Sequence, residues 1–369
     1  MKLNIPIRGI DAEIRERNIV IQSNSPLRAL TSSVLSRGYA KFMAILNHQI
    51  PIDYDHLEPK KRFFETIDAL SLPKQTLGLM TAANIDKVSV VTEKHAELTV
   101  CTVATAGLTN PITAGDNAYE TSQFHTINII LLIDGNLTQS CMVNAITTAT
   151  EAKSAALREL DIRSHFSTKP ATGTTSDMIA IACTERGRRI MFAGTATKIG
   201  ELIGKSVKKA VKIAIMKQHD ITPDRPLLRR LEERGIMLED LLNSALELHN
   251  QHCKEENSEI VQAFEDQLKR ALTDIRNSSL VLAGLRLNED YLQNLIPEFT
   301  TKNHKKKLEL LTASQTLGIT IAKYLAGTKG EMAFFNFNEK KPGILGELEP
   351  IASNVIKGLL AGLSSETFN

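Results

Sequence analysis

The sequence predicts an α+β domain followed by an all-α domain. Three observations carry this. In the first 217 residues, short runs rich in β-branched side chains alternate with long stretches of helical period. Residues 218–226 then place Pro223 and Pro226 around Asp224 and Arg225, a composition that reads as a linker. Beyond it, over residues 227–369, nearly every segment spaces its apolar residues as a helix does.

Residues 18–23 read as a strand, followed by a Ser/Thr-rich stretch, and residues 42–47 as a second strand. Residues 50–55 form a loop, because Pro51 cannot donate to a ladder and aspartate disfavours strands. Pro59 suits the first turn of a helix running to Leu70. A short strand at 77–81 precedes a hairpin, 88–92 with 98–104, around the polar residues 93–97. The loop from Gly107 to about Gln123 is longer than a connection needs.

The strand at 127–134 leads through Gly135 into a helix, with Asn136 and Gln139 spaced as a capping box. On that helix Met142, Ala145, Ala149, Ala152, Ala156 and Leu160 share an inward face of mostly small residues. Residues 178–183 form the next strand, and 190–193 pair beyond Gly187 as a second hairpin. A helix from 194–197 to about Lys217 turns Ile199, Leu202, Ile203, Ala210, Val211 and Ala214 inward and its lysines outward. The second half reads as helices at 227–234, 238–252, 260–277, near Tyr291, at 305–325 and 351–363; only 333–337 suits an extended segment.

Composition bounds the function. The net charge of +2 gives no electrostatic reason to invoke nucleic acid or an anionic membrane. No apolar run reaches transmembrane length, and no secretory apolar segment follows Lys2. Cys101, Cys141, Cys183 and Cys253 are widely spaced, which fits free thiols in a reducing compartment. A cytoplasmic protein is expected.

Standard phosphate-binding, zinc-protease, serine-hydrolase and dinucleotide motifs are missing from the sequence. His249, His252 and Cys253 lie close together but lack a fourth ligand nearby, so a solvated helix face is the better reading. The stretch 147–177 stands out instead. It is dense in small and hydroxylated residues, with Glu151, Lys153 and Asp177 embedded. Such residues suit a polar pocket better than a core. Glu151 and Lys153 point about 200° apart on a helix, so only one of them can face a given pocket, and Glu151 is the one expected there. Asp53 and Asp55 are a second pair of carboxylates, in the loop after Pro51. Pattern alone stops at a polar pocket.

Five strings extend the reading: Ile-Pro-Ile-Asp-Tyr-Asp at 50–55, Thr-Ala-Gly-Leu-Thr-Asn-Pro at 105–111, Thr-Ile-Asn-Ile at 126–129, Ala-Thr-Glu-Ala-Lys at 149–153 and Ala-Thr-Gly-Thr-Thr-Ser-Asp at 171–177. In order and spacing, the chain over about residues 15–217 resembles the adenosylcobinamide amidohydrolase family. The resemblance implies hydrolysis of the amide that joins the aminopropanol arm to the corrinoid, yielding adenosylcobyric acid for cobalamin salvage, chiefly in archaea. A corrinoid rimmed with amides would then be bound by the neutral groups of Asn110, Thr148, Thr172, Gly173 and Thr175. On this reading Glu151 or Asp177 is the general base, and Lys153 or donors of the 172–175 loop stabilise the oxyanion. Asp53 and Asp55 would orient the substrate arm or hold a divalent cation; no other cofactor is implied. The competing mechanism makes Thr174 a nucleophile.

Over about residues 227–363 the chain is similar to archaeal α-ribazole phosphatases, themselves related to the phosphatidylglycerophosphatase A family. The residues are 231–240, Gly284-Leu-Arg-Leu287 and Lys341-Pro342-Gly343-Ile344-Leu345. Asn288, Asn338 and the pair Ser353-Asn354 stand where those relatives carry aspartates. Losing several metal-binding carboxylates at once points to a degenerate phosphatase, with self-association or docking as its alternative role; the alternatives for the whole chain are a bifunctional protein that also dephosphorylates α-ribazole 5′-phosphate, and a corrinoid-binding protein without catalysis.

Overall fold

In the computed structural model, residues 1–54, 58–117, 125–250, 258–299, 304–336 and 341–367 are described. The chain divides into two compact units, Met1–Pro223 and Asp224–Asn369.

The first unit opens with antiparallel strands β1 (Lys2–Leu3), β2 (Ile10–Arg15) and β3 (Asn18–Thr31), then β4 (Tyr39–Gln49). β3 runs on into the Ser/Thr-rich stretch beyond the strand expected at 18–23, with a shift of register between Gln22 and Leu27. One edge of β3 therefore serves two partners, β2 before the shift and β12 (Met178–Cys183) after it. Helix α1 (Pro59–Ala69) leads to β5 (Thr76–Thr81), which lies parallel to β4. Gly78 leaves room for the Phe63 ring, since a Cβ there would lie 2.3 Å from it. The hairpin forms as β6 (Ser89–His95) and β7 (Leu98–Ala106), with a tighter turn than expected, at Ala96 and Glu97.

Two residues, β8 (Pro111–Ile112), precede β9 (Ile127–Asp134). β9 is buried from Ile127 to Ile133, which explains its unbroken apolar run: a central strand covered on both faces needs no alternation. It pairs antiparallel with β7 and parallel with β12. Between them come β10 (Asn136–Leu137), α2 (Gln139–Glu159) and β11 (Gly173–Thr174). Beyond β12 lie β13 (Arg189–Ile190) and α3 (Lys198–His219).

Two local expectations change here. Thr138, not Asn136, caps α2, accepting from the Cys141 N–H at 3.1 Å. Asn136 belongs to a parallel bridge with Arg189, so Ile190 pairs with Leu137 and makes no hairpin with residues 178–183.

One face of the sheet packs on α2 and α3, whose expected inward residues are all buried. On the other face the two wings of the sheet meet. Ile21, Ile45 and Leu79 share a core with Val103, Ile130 and Ala180.

The second unit contains α4 (Leu227–Glu232), α5 (Leu238–Asn250), α6 (Ser258–Thr273), α7 (Ile275–Leu292), α8 (His304–Asn336), α9 (Ile344–Glu347) and α10 (Pro350–Thr367). The single helix expected at 260–277 is two, because Asp274 caps α7 through the N–H groups of Arg276 and Asn277. The segment beginning at Ala333 is helical through Asn336 rather than extended. α8 is kinked at Ala326 and Gly327, where Gly327 takes φ +57°. α10 lies against it where a Cβ on Gly358 would meet the Gly318 carbonyl at 2.2 Å. Among the described residues no helix is long and apolar enough to cross a membrane.

Candidate active site

The parallel strands β9 and β12 start side by side at one end of the central sheet, and Asp177 stands just before β12. Its carboxylate accepts four hydrogen bonds. Oδ1 receives the Ile127 N–H at 2.9 Å and the Thr174 hydroxyl; Oδ2 receives the Thr174 N–H at 3.1 Å and the Lys153 ammonium. A carboxylate offers about four acceptor positions, so this one is filled. Lys153 reaches it from the inward side of α2, and both side chains of the ion pair are only 9% exposed.

Gly173 makes the cluster possible. A Cβ at that position would lie 2.4 Å from Asp177 Oδ2 and 2.6 Å from Lys153 Nζ. The Gly173–Thr174 strand is held antiparallel to Pro111–Ile112, which brings the first long loop beside the second. Asn110 Nδ2 donates to Thr175 Oγ1 at 2.7 Å, and Thr172 Oγ1 accepts the Ala114 N–H at 2.9 Å. From α2, Ser154 Oγ donates to the Thr172 carbonyl at 3.0 Å. Asp116 accepts from Ser164 and Ser167 and ties the same loop down further along. Thr175 is exposed while Thr174 is buried, so the loop presents one hydroxyl outward and one inward.

The structure thus gathers Lys153, Gly173, Thr174 and Asp177, with Asn110, Thr172 and Thr175 in the adjoining loops. It does not gather the rest. Glu151 is exposed on α2 and has no side-chain hydrogen bond or ion pair among the described residues. Of Glu151 and Lys153, it is the lysine that enters the buried cluster. Thr148 is buried, and its hydroxyl donates to the Ala193 carbonyl at 2.8 Å, holding the segment before α3. Asp53 lies exposed in a turn; Asp55, Asn338, His252, Cys253 and the His249 side chain fall outside the described residues. Among the described residues no three metal-ligating side chains cluster.

Two features escaped sequence reasoning. One is a buried polar chain. Asn128 Nδ2 donates to Asn47 Oδ1 at 2.8 Å and to the Met80 carbonyl at 2.7 Å, and Asn47 Nδ2 donates to Thr105 Oγ1 at 3.1 Å. Thr126 Oγ1 donates to the Ser176 carbonyl at 2.7 Å, extending the polar seam to the residue beside Asp177. Thr105, Thr126 and Asn128 lie within the strings quoted above, and polar residues inside apolar strands were the available signal. The other feature is His125, buried directly before Thr126, with His219 at the end of α3 facing it at 6.5 Å between ring centroids. Burial and the neighbouring His125 push the His219 pKa down to about 4, and burial lowers that of His125.

Fold and site together define an α+β protein with a buried lysine–aspartate–threonine cluster at the N-terminal ends of two central strands. Residues 6–223 match the adenosylcobinamide amidohydrolase (CbiZ) family, and the chain belongs to that family. An uncharacterised protein of Methanocaldococcus jannaschii is 30% identical over 236 residues, covering 58% of this chain and 91% of the relative. The adenosylcobinamide amidohydrolase of Methanosarcina mazei is 27% identical over 215 residues, covering 55% of this chain and 96% of the relative. That of Halobacterium salinarum is 28% identical over 145 residues, covering 36% and 59% respectively.

Proposed function

We propose that the first unit hydrolyses the amide between the aminopropanol arm and the corrinoid of adenosylcobinamide, releasing adenosylcobyric acid for cobalamin salvage. Family membership and the names of two relatives support the substrate class. The observation that carries the chemistry is the Thr174 hydroxyl donating to a carboxylate whose other oxygen is held by Lys153.

Asp177 has no acceptor position left for a water molecule, but it already holds the proton of one hydroxyl. This favours Thr174 as the attacking group over a water activated by Asp177. Thr174 Oγ1 bonds to the amide carbon, its proton passes to Asp177, the carbon–nitrogen bond breaks, and that proton leaves on the aminopropanol nitrogen. Water then hydrolyses the threonyl ester. The backbone N–H groups of Thr175 and Ser176 have no partner among the described residues and are the donors for the oxyanion. Lys153 holds Asp177 in position and balances its charge.

The test is release of aminopropanol from adenosylcobinamide by the purified full chain. Thr174→Ala lowers kcat roughly 10³-fold or more, while Thr174→Ser keeps a substantial part of it. Glu151→Gln retains full activity. Wild-type protein that releases no aminopropanol ends the functional reading. A fully active Thr174→Ala ends only the nucleophile assignment.

For the helical unit, we propose a partner module without phosphatase chemistry. Two asparagines standing where the relatives carry aspartates are engaged in backbone and helix contacts: Asn288 Oδ1 accepts the Ala352 N–H at 3.2 Å, and Asn354 Nδ2 donates to Ser314 Oγ at 2.9 Å. Phosphate release from α-ribazole 5′-phosphate, with or without divalent metal, would reverse this reading.

A further inference from the structure

The Thr174–Asp177 turn is anchored in a ladder at each end. Before it, Gly173 and Thr174 pair with Ile112 and Pro111; after it, Met178 pairs with Asn128. Thr175 and Ser176 lie between these anchors and belong to no strand. Thr175 is held by its side chain, through Asn110. Ser176 is held by its backbone: the carbonyl accepts from Thr126 Oγ1 at 2.7 Å.

Thr126 is itself firmly fixed. It is 3% exposed, and its carbonyl accepts the Gly107 N–H at 3.1 Å. The next residue, Ile127, pairs with Ala106 and gives its N–H to Asp177 Oδ1. Asn128, one further on, is tied to Asn47 and to the Met80 carbonyl. Two consecutive residues therefore grip the turn, Thr126 by its backbone and Ile127 by its carboxylate. Asn128 Oδ1 lies 3.3 Å from the same threonine hydroxyl, but a hydroxyl has one proton to give and the shorter bond takes it. A valine would fill this space with no polar atom to bury, so the bond to Ser176 accounts for the hydroxyl.

That bond bears on the chemistry through the groups it steadies. A peptide unit is planar, so fixing the Ser176 carbonyl restricts how far the short turn can rotate. The N–H groups assigned to the oxyanion, those of Thr175 and Ser176, belong to the same turn. Such donors act on charge that develops in the transition state, so misplacing them slows the reaction without weakening ground-state binding.

We infer that Thr126 is a positioning residue for amide hydrolysis, its hydroxyl holding the Ser176 carbonyl so that the oxyanion donors and Asp177 keep one fixed geometry. The inference rests on the amidohydrolase reading above.

The test measures kcat and KM for adenosylcobinamide, and the thermal midpoint, in the full-length wild type and three variants. Thr126→Val lowers kcat about tenfold or more and leaves KM within about twofold. Thr126→Ser keeps the hydroxyl and restores most of kcat. Thr105→Val removes an acceptor at the far end of the same polar chain, where Asn47 donates, and reports damage to that chain alone. Its thermal midpoint falls while its kcat stays near that of the wild type. Should Thr126→Val fail to fold, Thr126→Cys carries the same expectation, because a thiol is a weak donor. A folded Val or Cys variant with wild-type kcat, a loss expressed in KM alone, a Ser variant as slow as Val, or an equal loss of kcat in Thr105→Val each overturns the inference. All four leave the amidohydrolase reading standing. Wild-type protein that releases no aminopropanol overturns both.

Discussion

Lys153 and Glu151 sit two residues apart on one helix, and their fates differ by the direction each faces. The lysine enters a buried pair; the glutamate stays in water. Removing one member of a buried pair strands the other charge. Lys153→Met should therefore cost about 3–5 kcal/mol, read as a lower urea midpoint. Gly173→Ala should abolish most amide release, because the added methyl occupies the space between Asp177 and Lys153. Wild-type turnover in that variant would show the cluster is not the site. The histidines set a pH dependence. Burial, helped by Arg62, pushes the His48 pKa down to about 4, and His219 is likewise held to about 4. Both lie below the ordinary value near 6.5. The unfolded chain thus takes up protons first as pH falls. The stabilisation is complete above about pH 6.5 and declines towards pH 4. Urea midpoints measured at pH 7, 6 and 5 should fall in that order; a flat series would contradict the assigned burial.

Elements were legible wherever a pattern needed one partner surface. The inward face of α2 and the apolar run of β9 follow from period alone. Ends and pairings were not legible in the same way. Asn136 has the chemistry of a cap, but its backbone pairs with Arg189 and its Oδ1 accepts from Arg28 at 3.0 Å, so the cap moves to Thr138. Thr138→Ala should cost about 1 kcal/mol in a urea unfolding curve, and Asn136→Ala should leave the helix terminus intact. Alternation likewise identified residues near 190 as extended without saying what they pair with. The polar chain through Asn47, Asn128 and Thr105 was illegible because it joins strands far apart in sequence.

At the level of the whole chain, each unit has its own apolar core: one set of residues ends at Ile215, the other begins at Leu227. A chain ending at Pro223 should therefore unfold cooperatively and retain amide release close to that of the full protein. Loss of either would show that the helical unit completes the first. From sequence alone came the α+β then all-α order, the helix and strand periods, and the loops that carry Thr174 and Asp177, because these depend on neighbours within a few turns of chain. The burial of Lys153 against the exposure of Glu151, the saturation of Asp177 and the burial of His125 required the tertiary structure. Each depends on which distant backbone groups arrive at the same place, and a sequence read in order does not record that.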